Sequence, residues 1–146
     1  MNDRKTTLEE AKIYFLQIPP TDQERLHRII NRICFFYEIE RTETPETTQK
    51  LLETFQHTPE PPADLLFADF RTSSQLTSDQ ISTLTASLPQ MRTPLISLSD
   101  QATIQIHDKD KNWLHVSLPP HQLDKNINEI VNSITNFWFN LPTIKQ

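Results

Sequence analysis

Glycine is missing altogether, with none among 146 residues against eleven prolines, where average usage would place about 7% glycine. Loops that cradle phosphate need glycine so that backbone amides can approach the ligand. Its absence excludes the P-loop and the dinucleotide fingerprint as written. Cysteine is nearly missing too. Cys34 cannot form an internal disulfide, and its place among Ile29, Ile30 and Ile33 suits a buried, unreactive thiol in a reducing compartment. The net charge is −5, with scattered lysines and arginines and no basic run, so a nucleic acid backbone finds little footprint. Met1 is followed by polar residues, and no apolar window has the length of a membrane span. The expectation is a cytoplasmic protein with no membrane partner. His27, His57, His107 and His121 lack metal-ligand spacing, so neither a metal site nor a cofactor is expected.

The length suits one domain, assigned to residues 12–142, with 1–11 as an N-terminal extension and 143–146 as a tail. Ile13-Tyr14-Phe15-Leu16, stopped by Pro19-Pro20, predicts a buried first strand. Thr21-Asp22-Gln23-Glu24 has the form of a capping box. It precedes Leu26, Ile29, Ile30 and Ile33 at helical spacing. Phe35 to Glu40 predicts a second strand from its aromatic content, and Thr44-Pro45-Glu46 opens a second helix. Thr58 to Pro62 reads as a stiff loop. It delivers the chain to Asp64-Leu65-Leu66-Phe67-Ala68-Asp69, the form of a buried parallel strand carrying an acid to its carboxyl edge. Thr77 or Ser78 caps a third helix that Pro89 should end, and Pro94 to Ser99 forms a fourth strand. The alternation at Ile104 and Ile106 fits a strand or one weak helix, and Trp113-Leu114-His115-Val116 fits a strand. Leu123, Ile127, Ile130, Val131, Ile134, Trp138 and Leu141 then make one stripe on a long last helix.

This alternation predicts an α/β fold, a doubly wound five-stranded parallel sheet whose ligand crevice lies at the carboxyl ends of the strands. With these elements in place the chain resembles the response-regulator receiver domain, in particular the small stand-alone receivers that partner cyanobacterial phytochromes. The Asp64–Asp69 run looks like the phosphoacceptor strand, Leu98-Ser99 like the hydroxyl switch strand, and Ser117-Leu118-Pro119 like the family's Thr-Lys-Pro turn. Ile134 to Pro142, with its Phe-Trp pair, looks like the helix end of the stand-alone subgroup. The resemblance implies strand order 2-1-3-4-5. The interval of nineteen residues from Ser99 to Leu118 is short for the family and implies a trimmed or irregular fourth helix.

Departures from the family pattern shape the expected function. Gln17 and Ile18 stand where receivers carry an acidic pair, and Leu118 stands where they carry a lysine. Magnesium needs hard oxygen ligands in near-octahedral order, and phosphoryl transfer depends on charge neutralisation. Gln17, Ile18, Asp69, Ser99 and Leu118 therefore form a degenerate pocket, with Asp69 as the equivalent of the phosphoacceptor and no catalytic residue. Asp69 also has the plainer reading of an acid that caps its turn, and Ser99 that of a solvated turn residue. His115 replaces the family's switch aromatic and reads as structural or exposed, with pH sensing as the alternative.

Measured from Ile127 at 100° per residue, Ile134 and Trp138 lie within about 20° of the stripe centre and Phe139 about 120° away, so Phe139 should face outward. Receivers commonly dimerise or dock partners through the fourth helix, fifth strand and fifth helix. The resemblance thus assigns an interface to Ile104, Ile106, Trp113, His115, Phe137 and Phe139, for a protein partner or a second copy. The expected function is that of a non-enzymatic pseudo-receiver, an adaptor in bacterial signal transduction not switched by magnesium-dependent phosphorylation. Two alternatives stand beside it: an atypical regulator phosphorylated on Asp69, and a small-molecule sensor using the modified crevice.

Overall fold

The computed structural model describes residues 10–57, 63–108 and 113–140. Its elements are β1 (Ala11–Leu16), α1 (Pro20–Ile33), β2 (Tyr37–Thr42), α2 (Pro45–Gln56), β3 (Leu65–Asp69), α3 (Ser78–Met91), β4 (Leu95–Leu98), β5 (Gln105–His107), β6 (His115–Leu118), a 3-10 turn (Pro120–Gln122) and α4 (Leu123–Asn140). The sheet order is β2-β1-β3-β4-β6-β5. All neighbours are parallel except β5, which pairs antiparallel with β6 through Ile106 opposite Val116. Without β5 the order is that of the receiver and flavodoxin-like class, with its topological switch point between β1 and β3. The first strand begins at Ala11, one residue inside the expected extension.

The period-2 alternation of the strands builds two cores. Ile13, Phe15, Leu65, Phe67, Ile96 and Val116 face α1 and α4, which pack beside each other. Tyr14, Leu16, Leu66, Ala68 and Leu95 face the other way, onto α2 and α3. Every residue of β3 is buried, which is why its sequence is a continuous apolar run with no polar face.

Several expectations are corrected. The sheet has six strands rather than five, and the stretch expected to hold a trimmed fourth helix instead carries the antiparallel strand β5. Ile104 and Ile106 both pack against the α1/α4 core, a burial pattern that a strand satisfies and a single helical turn does not. The expected strand at Phe35–Glu40 lies two residues later, because the β1 ladder opens with Ala11 opposite Tyr37. Phe35 and Phe36 are left 82% and 71% exposed. Thr21 does not cap α1. Pro20 occupies the first turn, where its missing N–H costs nothing, and the N–H groups of Asp22 and Gln23 bond to the Pro19 carbonyl. Pro89 does not end α3 either. The helix runs on to bury Met91 and closes at Arg92 in the left-handed region (φ 57°).

Thr44 caps α2 as expected, and of the two candidates for α3 it is Thr77 that caps, each accepting the N–H three residues on. Cys34 is buried, its thiol bonded to the Ile30 carbonyl (3.5 Å) and pushed up to about 11 by burial, with Asp64 adding to the shift. Leu141 and Pro142 lie outside the described residues, as does the stretch 58–62 where a stiff loop is expected.

Candidate functional site

Strand β3 delivers Asp69 to the carboxyl edge of the sheet, where its side chain is 3% exposed. A carboxylate so buried requires compensation. It comes from Arg71, two residues on. The Arg71 backbone N–H and Nε donate to Asp69 Oδ1 (3.1 and 2.9 Å), and one terminal guanidinium nitrogen donates to Asp69 Oδ2 (3.1 Å). That same nitrogen donates to Oδ2 of Asp22 at 2.6 Å, which places a carboxylate from the first turn of α1 on the far side of the guanidinium. The fork and the planar carboxylate match, so the pairing is two-pronged and charge-assisted. Asp69 foremost, then Asp22, raises the Arg71 pKa above its ordinary value, and burial opposes them. The guanidinium is a permanent cation between two acids.

This corrects the expectation of a pocket stripped of positive charge. Lysine is absent where receivers carry it, and a different cation arrives from an unanticipated position. Leu118 is fully buried and packs with Asp22, Leu26, Leu98 and Leu123, so hydrocarbon seals that position rather than lining a crevice. Ser99 also stands away from the crevice. Its hydroxyl accepts the Gln101 N–H (2.9 Å), and its own N–H bonds the Leu118 carbonyl, as a turn residue would. The neighbouring Asp100 accepts both the N–H and the hydroxyl of Thr72, tying the loop after β4 to the loop after β3.

Gln17, Ile18 and Asp69 do come together, in a crevice of about 440 Å³ at the β1/β3 switch point that Phe15, Pro19, Gln23, Arg41 and Ser74 also line. Gln17 has φ 56°, a left-handed conformation that is costly without glycine and held here by its N–H bond to Thr42 O (2.9 Å). Its Oε1 accepts from the Thr48 hydroxyl at 3.0 Å, while Nε2 is buried without a partner among the described residues. Among the described residues no group of three or more His, Cys, Asp or Glu is arranged to hold a metal ion. The two acids nearest to such a role both face Arg71, so the set does not fit a divalent ion.

The expected interface residues are divided by the sheet. Ile104 and Ile106 pack on the α1/α4 face, whereas Trp113 packs on the α2/α3 face. His115 is turned the same way as Trp113. Its Nε2 lies 2.8 Å from the Ser97 hydroxyl and its ring stands edge-on to Phe70 at 5.7 Å. Burial, with His107 adding to it, depresses the His115 pKa to about 4, so the ring is neutral at pH 7. Phe139 faces outward, 55% exposed, but Phe137 is buried at 4% and cannot extend a surface patch. The Trp138 indole N–H bonds the Asp64 carbonyl (3.2 Å), and Phe137, three residues after Ile134 and seven after Ile130, shares their face of α4 and joins their core.

Arg71 and Asp22 are the site residues that sequence reasoning missed. The available signal was a basic residue two positions beyond a buried strand-end acid, the right distance to fold back onto it. Asp22 gave none, because its capping-box context explained it.

Among the described residues no helix is long and apolar enough to cross a membrane. No protein-family model matches the chain, and no curated protein matches it. Among solved structures, it is similar to the N-terminal domain of a response regulator/sensory box/GGDEF three-domain protein from Carboxydothermus hydrogenoformans, at 13% identity and a TM-score of 0.44, over 86% of this chain and 96% of that one. The strand order identifies the fold, and this likeness adds nothing about the chemistry.

Proposed function

We propose that the chain is a pseudo-receiver, a non-enzymatic interaction module of bacterial signal transduction whose acidic pocket is closed by its own arginine. The observation that carries this reading is the guanidinium of Arg71 spanning Asp69 and Asp22. A phosphoryl group bound for Asp69 must displace a two-pronged, buried ion pair. It must also do so without the carboxylate cluster that magnesium needs or a lysine at position 118. The cation present serves to neutralise the acids in the resting state, whereas transition-state stabilisation needs a cation still available to the incoming phosphate. Control of such a module falls to binding. Phe139, exposed at the end of α4, is the residue proposed to meet a protein partner or a second copy.

Incubation with magnesium and acetyl phosphate tests this reading. The expected result is no phosphoryl adduct by intact mass, for the native chain and Asp69→Asn alike. An adduct on the native chain that Asp69→Asn abolishes would instead establish the phosphoaccepting alternative.

A further inference from the structure

The crevice at the carboxyl ends of β1 and β3 borders the closed acid pair at Asp69, and it holds polar groups that the fold itself leaves unused. On one side are two donors without an anion. Gln17 Nε2 is buried with no partner among the described residues, an arrangement that costs the desolvation of the group unless something accepts from it. Arg41 gives its Nε to the neutral Gln23 Oε1 (2.9 Å), lies over the Phe15 ring (5.6 Å) and makes no ion pair with a described residue. On the other side the lining is rich in acceptors. Asp69 is already filled by its three bonds from Arg71, and Glu43, Ser73 and Ser74 supply acceptors around the rim. The volume of about 440 Å³ lies within the usual range for small-molecule sites, and the place is the one this fold class uses for ligands.

From these groups we infer that the crevice binds a small organic acid that also carries hydrogen-bond donors, of the amino-acid or hydroxy-acid class. Its carboxylate accepts from Gln17 Nε2 and Arg41, and its ammonium or hydroxyl group donates toward Glu43 and the serine rim. The inference does not depend on whether Asp69 can be phosphorylated, so its failure leaves the pseudo-receiver reading untouched.

The test is calorimetric titration of the full chain with the common amino acids, lactate, malate and citrate in turn, with lactamide and sodium chloride as controls. At least one acid should bind with a dissociation constant of about 1 mM or tighter. Gln17→Glu, which keeps the shape and replaces the donor by a carboxylate, should weaken that binding about tenfold or more, as should Arg41→Gln. Arg41 is exposed, so its variant decides the matter if Gln17→Glu does not fold. The inference is overturned if no acid binds beyond the chloride control, if lactamide binds as well as the acids, or if Arg41→Gln retains full affinity.

Discussion

Two polar clusters on opposite faces of the sheet are kept by opposite means. At the end of β3, Asp69 is met by Arg71 and, beyond it, Asp22, which complete an ion triad. One strand over, where Ser97 of β4 lies opposite Ala68 in the ladder, His115 has surrendered its charge. It rests against Ser97 and Phe70 as a neutral ring. Residues 69 to 71 touch both clusters, with Asp69 and Arg71 turned to Asp22 and Phe70 turned to the histidine. The difference teaches what burial demands: an ion is tolerated when its counter-ion is on hand, and otherwise the proton equilibrium shifts until the ion is gone.

The comparison can be broken most forcefully at Arg71. Arg71→Met leaves two buried carboxylates facing each other and should lower stability by ~3–5 kcal/mol in urea unfolding at pH 7. Adding Asp69→Asn to that variant should restore part of the loss. Equal stability of Arg71→Met and the native chain would show that the triad contributes nothing. The neutral cluster responds to acid instead. The His115 pKa is depressed from 6.5 to about 4 on folding, so between those values the unfolded chain binds a proton that the folded chain refuses. Stability conferred by the neutral ring should therefore be present above pH 6.5 and be lost as pH falls toward 4, by on the order of 3 kcal/mol in all. His115→Gln should flatten that part of the pH profile. An unchanged slope in the variant would mean the ring is not held neutral.

A gentler probe is Ser97→Ala, which removes one hydrogen bond from the ring and should cost ~1 kcal/mol by thermal melting, with no change in the response to Arg71 substitution. Smallest of all, Phe139→Asp lies outside both clusters and should alter stability by less than about 0.5 kcal/mol. Under the proposed function it abolishes association with the partner or second copy, read by size exclusion. A large drop in melting temperature would show the ring to be core.

The local signals in the sequence were reliable where neighbours along the chain decide the outcome. Thr44-Pro45 and Thr77 start helices because their side chains cap amides three residues on. The apolar run from Leu65 to Ala68 is a central strand because both of its faces are covered. The candidate site was legible in Asp69, Gln17 and Ile18. It was misread at Leu118 and Ser99, which point away from the crevice, and at Phe137, where a helical stripe drawn narrowly hid a residue that shares the buried face of Ile130 and Ile134. The replacement of a helix by β5 was half visible in the alternation at Ile104 and Ile106. Its antiparallel direction was not, since a three-residue strand carries no mark of its partner's orientation.

By itself the sequence determined the alternating elements, the absence of glycine-built phosphate loops and the delivery of an acid to the edge of the sheet. These follow from periodicity, from capping chemistry and from the geometry of a missing Cβ. Only the tertiary structure decided what that acid meets, because Arg71 and Asp22 are 49 residues apart in the chain and close on each other through the packing of α1 against the sheet. Coulomb attraction acts over a few ångströms of space and is indifferent to position in the sequence.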